Sequence, residues 1–305
     1  MIAGAPAAHA DARDVAPGWR ALYPFESHFL RVDGHALHYL DEGPRGAPTL
    51  LLLHGNPTWS FHWREVVARF RRDFRVVVPD HMGCGLSDKP QGWSYLLADH
   101  VANLERLVAA LELRDITLGV HDWGGAIGMG LATRQPERIA RLVITNSAAF
   151  RSTRLPLRIA LCRLPLFGPL AVRGLNAFAR AALSMATAKG LEPGVAEGLL
   201  APYGSWSERV AIQRFVEDIP MRPQHPSWPT LVAIEEGLER LRAKPTLILW
   251  GDRDWCFTPA FREEWQRRFP EARVERFDDA GHYVIEDARE RVLEALQRFL
   301  APAAP

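Results

Sequence analysis

The sequence predicts an α/β fold: a mostly parallel sheet of eight strands, interrupted by a helical insertion. Three observations carry that expectation. The runs "TLLLLHG", "FRVVVPD" and "ITLGVHD" are continuously apolar, the pattern of strands covered on both faces by helices. Between them lie segments of helical period such as "WREVVARF" and "DHVANLERLVAALEL", which sets up βαβ units with right-handed crossovers. From residue 151 to about 240 no buried-strand pattern is visible, and it resumes with "PTLILWG".

Taken in order, residues 1–24 read as a flexible N-terminal tail, because "MIAGAPAAHADARDVAPGW" lacks the basic start and apolar stretch of a signal peptide. "HFLRVDGHALHYLDEG" alternates as two strands around Asp33-Gly34, a dipeptide that accepts the positive φ angles of a tight hairpin. The buried runs and "RLVITNS" complete the first part of the core, residues 25–150. Residues 151–240, rich in helical stretches broken by Pro and Gly, form a helical cap. The core resumes over 241–300 with "PTLILWG", "ARVERF" and the terminal helix "DARERVLEALQRFL".

Composition narrows the classes of function. The chain has 305 residues, of which 48% are hydrophobic, enough for a sizeable core. Its 37 basic and 36 acidic residues leave no basic footprint for nucleic acid, so a small hydrophobic molecule is the expected partner. Cys84, Cys162 and Cys256 lie far apart and lack the spacing of a zinc site or a disulfide framework, so no metal or other cofactor is expected and a reducing cytoplasm fits. No run approaches the roughly 18 apolar residues that span a bilayer. Arginines at 154, 158, 163, 173 and 180 could meet a lipid surface, in a membrane-peripheral location, or an acidic partner, but a solvated face is the commoner explanation.

The chemistry sits at strand ends. Asp122, in "GVHDWGGAIG", follows a buried strand and precedes a small-residue helix start, where a sharp turn would aim its side chain towards backbone N–H groups. An exposed, ionised aspartate there is a nucleophile; a simple helix N-cap is the alternative. Asp254, in "WGDRDWCFTP", and His282, in "FDDAGHYVIED", follow later strands, in the order nucleophile, acid, histidine. Asp252 is a second candidate for the acid, disfavoured by spacing. Asn146, at the end of "RLVITNS", lacks the charge that an imidazolium needs beside it. Asn56, in "HGNPTW", and Trp123 offer N–H donors for an anion next to Asp122, unless they are only a turn asparagine and a packed indole.

With these motifs in place, "HGNPTWSFHWR", "PDHMGCGLSDKP", "HDWGGAIG", "WGDRDWCFTP" and "DAGHYVIED" together resemble the haloalkane dehalogenase group of α/β-hydrolases over residues 25 to 300. The resemblance implies Asp122 as nucleophile, His282 as base, Asp254 as the acid that orients it, and Asn56 with Trp123 as the leaving-anion pair. It is nearest to the third subfamily, which includes the cis-3-alkyl-4-alkyloxetan-2-one (β-lactone) decarboxylases of bacterial long-chain olefin biosynthesis. "RLPLFGPLAVRGLNAFARAALSMA" and "RFVEDIPMRPQHPSWPTL" in the cap look more like those decarboxylases.

Decarboxylation of a β-lactone to a cis-alkene is therefore the expected activity, possible in an assembly with the β-lactone synthetase and other enzymes of olefin synthesis. Haloalkane hydrolysis through an ester on Asp122 is the alternative. An epoxide hydrolase is a weaker one, because that family uses lid tyrosines and the cap holds only Tyr203. Fluoroacetate dehalogenases place an arginine where this chain has Trp123, and a non-catalytic receptor would not need the acid and histidine.

Overall fold

A computed structural model describes residues 17–301. Eight strands make one sheet: β1 (His28–Val32), β2 (His35–Glu42), β3 (Thr49–Leu53), β4 (Arg75–Pro79), β5 (Ile116–Asp122), β6 (Ile139–Ser147), β7 (Thr246–Gly251) and β8 (Arg273–Phe277). Their spatial order is β1-β2-β4-β3-β5-β6-β7-β8. β1 pairs antiparallel with β2 and β2 with β4, while all other neighbours are parallel. The hairpin between β1 and β2 turns at Asp33 (φ 48°) and Gly34 (φ 85°), as the Asp-Gly dipeptide predicts.

Apolar runs become central strands because both faces of the sheet are covered. Leu51, Leu53, Leu118, Val120, Leu142 and Ile144 face one layer, which includes the helices Leu97–Ala110 and Trp123–Arg134. Leu50, Leu52, Val76, Val78, Leu247 and Leu249 face the other, against the helices Arg64–Phe70 and Arg289–Leu300. Each fully buried side chain of this type stabilises the fold by about 1.5–3 kcal/mol. β1 and β8, at the edges, alternate or are largely exposed, as strands with one uncovered side do.

The segment between β6 and β7 carries the helices Leu157–Leu161, Ala177–Met185, Pro193–Leu200, Val210–Glu217 and Trp228–Gly237, with no strand among the described residues. Part of the stretch read as a loose tail is docked. From Pro17 the chain forms a short helical turn, and Trp19 and Tyr23 are buried against Trp59 and Phe61. The Tyr23 hydroxyl shares a 2.6 Å hydrogen bond with Ser60 Oγ. Aromatic burial, invisible to a composition argument, ties this segment down; the remainder of the expected tail, residues 1–16, lies outside the described residues.

Candidate active site

Asp122 ends β5 in a backbone conformation (φ 50°, ψ −125°) that L-residues avoid, and the helix Trp123–Arg134 starts at the next residue. The turn is possible because its neighbours are glycines. A Cβ on Gly124 would strike the backbone oxygens of Leu53 and His54, and one on Gly55 would overlap the Asp122 carboxylate. The two chain ends of β3 and β5 are thus packed directly onto each other, with Asp122 between them. No side-chain cap bond forms from Asp122 to the helix, which removes the simple N-cap reading.

The carboxylate is held by backbone donors. The Asn56 N–H donates to Asp122 Oδ1 at 2.7 Å, and the nearby Trp123 N–H favours the charged carboxylate. The expectation of an exposed carboxylate is not met: Asp122 is 8% exposed, at the floor of a cavity. Burial raises its pKa, against the lowering effects of His282 and the two backbone N–H groups.

His282 comes from the loop after β8 and stands over Asp122, with Nε2 3.6 Å from Asp122 Oδ2. Its Nδ1 lies 2.7 Å from Asp254 Oδ2. Burial alone would depress the imidazole pKa; Asp254, by charge and by hydrogen bond, and then Asp122 outweigh it, and the net shift is upward. The loop is anchored at both ends. Asp287 accepts from the N–H groups of Gly281, Ala188 and Lys189. Arg64, buried, grips Glu286 with two bonds of 2.6 and 2.8 Å, a fork geometry that fixes orientation as well as charge.

Asp254 is fully used. Its Oδ1 accepts from Cys256 N at 2.7 Å, and its Oδ2 from both His282 and the Asn146 amide, the latter at 3.0 Å. Asp252, the other candidate, instead pairs with Arg262 and Arg276 on the outer side of the loop. Asn146 does not supply the acid, but it stands beside it. Its amide bridges Gly251 N and O at 2.9 and 3.0 Å and so pins the end of β7 while orienting Asp254. That supporting role was missed in the sequence; its only signal was the position of Asn146 at the end of β6.

Asn56 donates one amide hydrogen to Ile212 O at 3.2 Å, while its Oδ1 is buried without a partner. Exchanging O and N would set the carbonyl against Ile212 O, so the amide nitrogen is the end that faces that carbonyl. The Trp123 ring packs 5.1 Å from Phe215 and lines the cavity beside Asp122, and among the described residues no acceptor engages its indole N–H. Tyr203 does not reach the site: it is fully buried, with its hydroxyl donating to Thr58 O at 3.2 Å. The site therefore has no cap tyrosine of the kind an epoxide hydrolase would use.

Sequence reading also missed a column of imidazoles behind the site. His121 lies 4.4 Å, centroid to centroid, from His282 and donates Nε2–H to His282 O, while His62 stacks on His121 at 4.3 Å. Desolvation pushes both His62 and His121 well below the usual histidine pKa, so they pack as neutral rings.

Two apolar lobes open from Asp122. One runs past Trp123, Phe150, Val216 and Leu231; the other runs past Phe167, Ala177, Ala182 and Met185. Asn56, Asp122, Ile159, Phe178 and Cys256 line both. Among the described residues no cluster of His, Cys, Asp and Glu is arranged to hold a metal ion, and no helix is long and apolar enough to cross a membrane.

A strand-end nucleophile position with an acid and a histidine in the loops after later strands of this sheet defines an α/β-hydrolase, and the chain belongs to that fold family, which it matches over residues 48–288. It is 42% identical over 286 residues to the cis-3-alkyl-4-alkyloxetan-2-one decarboxylase of Shewanella oneidensis, covering 92% of this chain and 89% of that one. With the protein of the same name from Xanthomonas campestris pv. campestris it shares 39% over 278 residues, covering 88% and 93%. Among solved structures it is similar to haloalkane dehalogenase DbeA from Bradyrhizobium elkani USDA94, with a TM-score of 0.82 at 25% identity over 90% of this chain and 97% of that one.

Proposed function

We propose that the protein is a β-lactone decarboxylase that converts a cis-3-alkyl-4-alkyloxetan-2-one to a cis-alkene and CO2. The observation that carries this reading is the meeting of two apolar lobes at Asp122. A haloalkane with one chain needs one lobe. A β-lactone substituted on adjacent ring carbons has two, and each finds its own lobe when the ring sits over the carboxylate. The relatives at 42% and 39% identity carry the name of this activity.

In this reading the 151–240 insertion is the cap, and Asp122 is the nucleophile. One Oδ attacks the saturated, alkyl-bearing ring carbon bonded to the ring oxygen, with inversion; the bond from that carbon to the ring oxygen breaks and its electron pair becomes part of a free carboxylate. The indole N–H of Trp123 and the remaining amide hydrogen of Asn56 receive that anion. The new ester and the carboxylate are anti across the former ring bond. The C–CO2 bond then breaks, its electrons form the alkene, and the ester C–O bond breaks to return Asp122 as carboxylate. No water is consumed, and the two alkyl chains remain cis.

His282, oriented by Asp254, stabilises the Asp122 charge when it returns; in the alternative hydrolysis of a haloalkane it would activate water against the ester. An enzyme that forms the lactone must supply the substrate, and assembly with it in the cytoplasm belongs to this reading. Purified protein given a cis-dialkyl β-lactone is expected to release CO2 and cis-alkene in equal amounts. A product consisting only of β-hydroxy acid, or bromide release from 1-bromoalkanes without any lactone turnover, would overturn it.

A further inference from the structure

The face of the insertion around the second lobe is both apolar and basic. Of the eleven large hydrophobic side chains exposed among the described residues, seven fall within residues 157–175. Leu164, Leu166, Leu170 and Leu175 are 48, 88, 60 and 67% exposed. Leu166, the most exposed, is held at φ 66°, a left-handed conformation unfavourable for a leucine, and the main chain on either side is tied by Gly168 N to Leu164 O and Leu170 N to Leu166 O. The turn that presents it is built, and among the described residues nothing covers it.

Charge within this stretch of sequence has one sign. Residues 151–191 hold seven Arg and Lys and no Asp or Glu. Arg151 pairs with Glu235 and Lys189 with Asp279, both acids from outside the stretch. The remaining five, Arg154, Arg158, Arg163, Arg173 and Arg180, make no ion pair with a carboxylate among the described residues, whereas Arg64, Arg75, Arg262 and Arg268 elsewhere in the chain each do. Arg173 lies over the ring of Trp206, itself 48% exposed, an aromatic and cationic pair at the margin of the patch.

We infer that this face docks on an anionic phospholipid bilayer. A leucine-rich patch ringed by arginines that make no direct ion pair matches acyl chains beneath a layer of phosphate, whereas an acidic protein surface would satisfy the arginines and leave the leucines without a partner. The second lobe is lined by Arg158, Leu161 and Phe167 from the same stretch, so a docked protein turns that lobe towards the membrane, from which an oily substrate can enter without crossing water. The docking itself stands apart from the reaction proposed for Asp122, and its test uses no turnover.

The full chain is sedimented with vesicles of phosphatidylglycerol and phosphatidylethanolamine, and in parallel with vesicles of phosphatidylcholine alone. Binding is expected to the anionic vesicles, at least about ten-fold tighter than to the neutral ones and weakened by salt. The variant Leu164→Glu/Leu166→Glu/Leu175→Glu, outside both lobes, is expected to lose binding with its melting temperature unchanged, and Arg173→Glu/Arg180→Glu to lose the preference for anionic lipid. Failure of the unaltered protein to pellet with anionic vesicles at low ionic strength overturns the inference. So does a leucine variant that is folded and binds as well as the parent. A dimer in solution that the leucine variant dissociates, with no vesicle binding by either, would assign the face to a second copy of the chain instead.

Discussion

Asp254 Oδ2 accepts a 2.7 Å bond from His282 Nδ1 and, on its other side, a 3.0 Å bond from the Asn146 amide. The ring orientation follows from this: Nδ1 carries a proton in the neutral ring and in the cation, Nε2 faces Asp122, and the cation presents a second N–H to that carboxylate. Replacing Asp254 with Asn removes the strongest favourable influence on the His282 cation, and burial then dominates. The His282 pKa is expected to fall below the ordinary histidine value, measurable by NMR titration of the ring.

If Asp122 is the nucleophile, Asp122→Ala is expected to reduce turnover by about 10³-fold or more. Asp122→Asn, which preserves shape, should be equally inactive. Single-turnover measurements of alkene with the purified variants decide it, and a variant with near-normal turnover would remove Asp122 from the reaction.

Gly55→Ala places a methyl group against the Asp122 carboxylate. Since that carboxylate is itself fixed by Asn56 N–H, relief must come from displacing β3 or the strand-end turn. A loss of stability of about 1–3 kcal/mol is expected, with a larger proportional loss of turnover. Urea unfolding and initial rates on the same preparation separate the two effects.

Trp123→Phe keeps the packing on Phe215 and removes one N–H from the cavity. If that donor receives the released carboxylate, the rate should fall by about ten-fold to a hundred-fold, as expected for a hydrogen bond to a charged group. Stability should be nearly unchanged, and the comparison is one of kcat/KM against melting temperature.

Asp218 provides a pH test away from the chemistry. It accepts from Leu97 N at 2.9 Å and from Ser227 Oγ, joining the insertion to the helix Leu97–Ala110, and burial raises its pKa from 3.8 to about 7. A carboxyl raised on folding favours the folded state while protonated. Its contribution is full below pH 3.8 and is lost as pH climbs through about 7. Asp218→Asn can set its one carbonyl oxygen against Leu97 N and Ser227 Oγ without charge, so the variant is expected to be more stable than the parent at pH 8, with a flatter dependence of melting temperature on pH between 4 and 7.

The lobes can be tested one at a time. Ala148→Phe narrows the first and Ala182→Phe the second. Each is expected to shift preference towards lactones shortened at one ring carbon, and at different carbons in the two variants. The same shift from both would show that a single lobe holds both chains.

Much of this molecule was legible along the chain because its determinants are local. Continuous apolar runs specify strands covered on both faces, Asp33-Gly34 specifies its hairpin, and the glycines after Asp122 are needed wherever a helix is packed hard against the end of a strand. Asp122, Asp254 and His282 could be picked out because each stands just past a buried run, and in this architecture the ends of strands converge. Folding determined what neighbours do to them. Burial at the cavity floor raised the pKa of a carboxylate that the sequence presented as exposed, since desolvation depends on residues far away in the chain. Trp19 and Tyr23 docked because aromatic partners at Trp59 and Phe61 await them in space. Asn146 oriented the acid from a neighbouring strand, and two lobes met at one carboxylate because distant helices stop short of filling the space above it. A side chain's type is written in the sequence; its solvent, partners and empty neighbours are fixed only when distant segments pack.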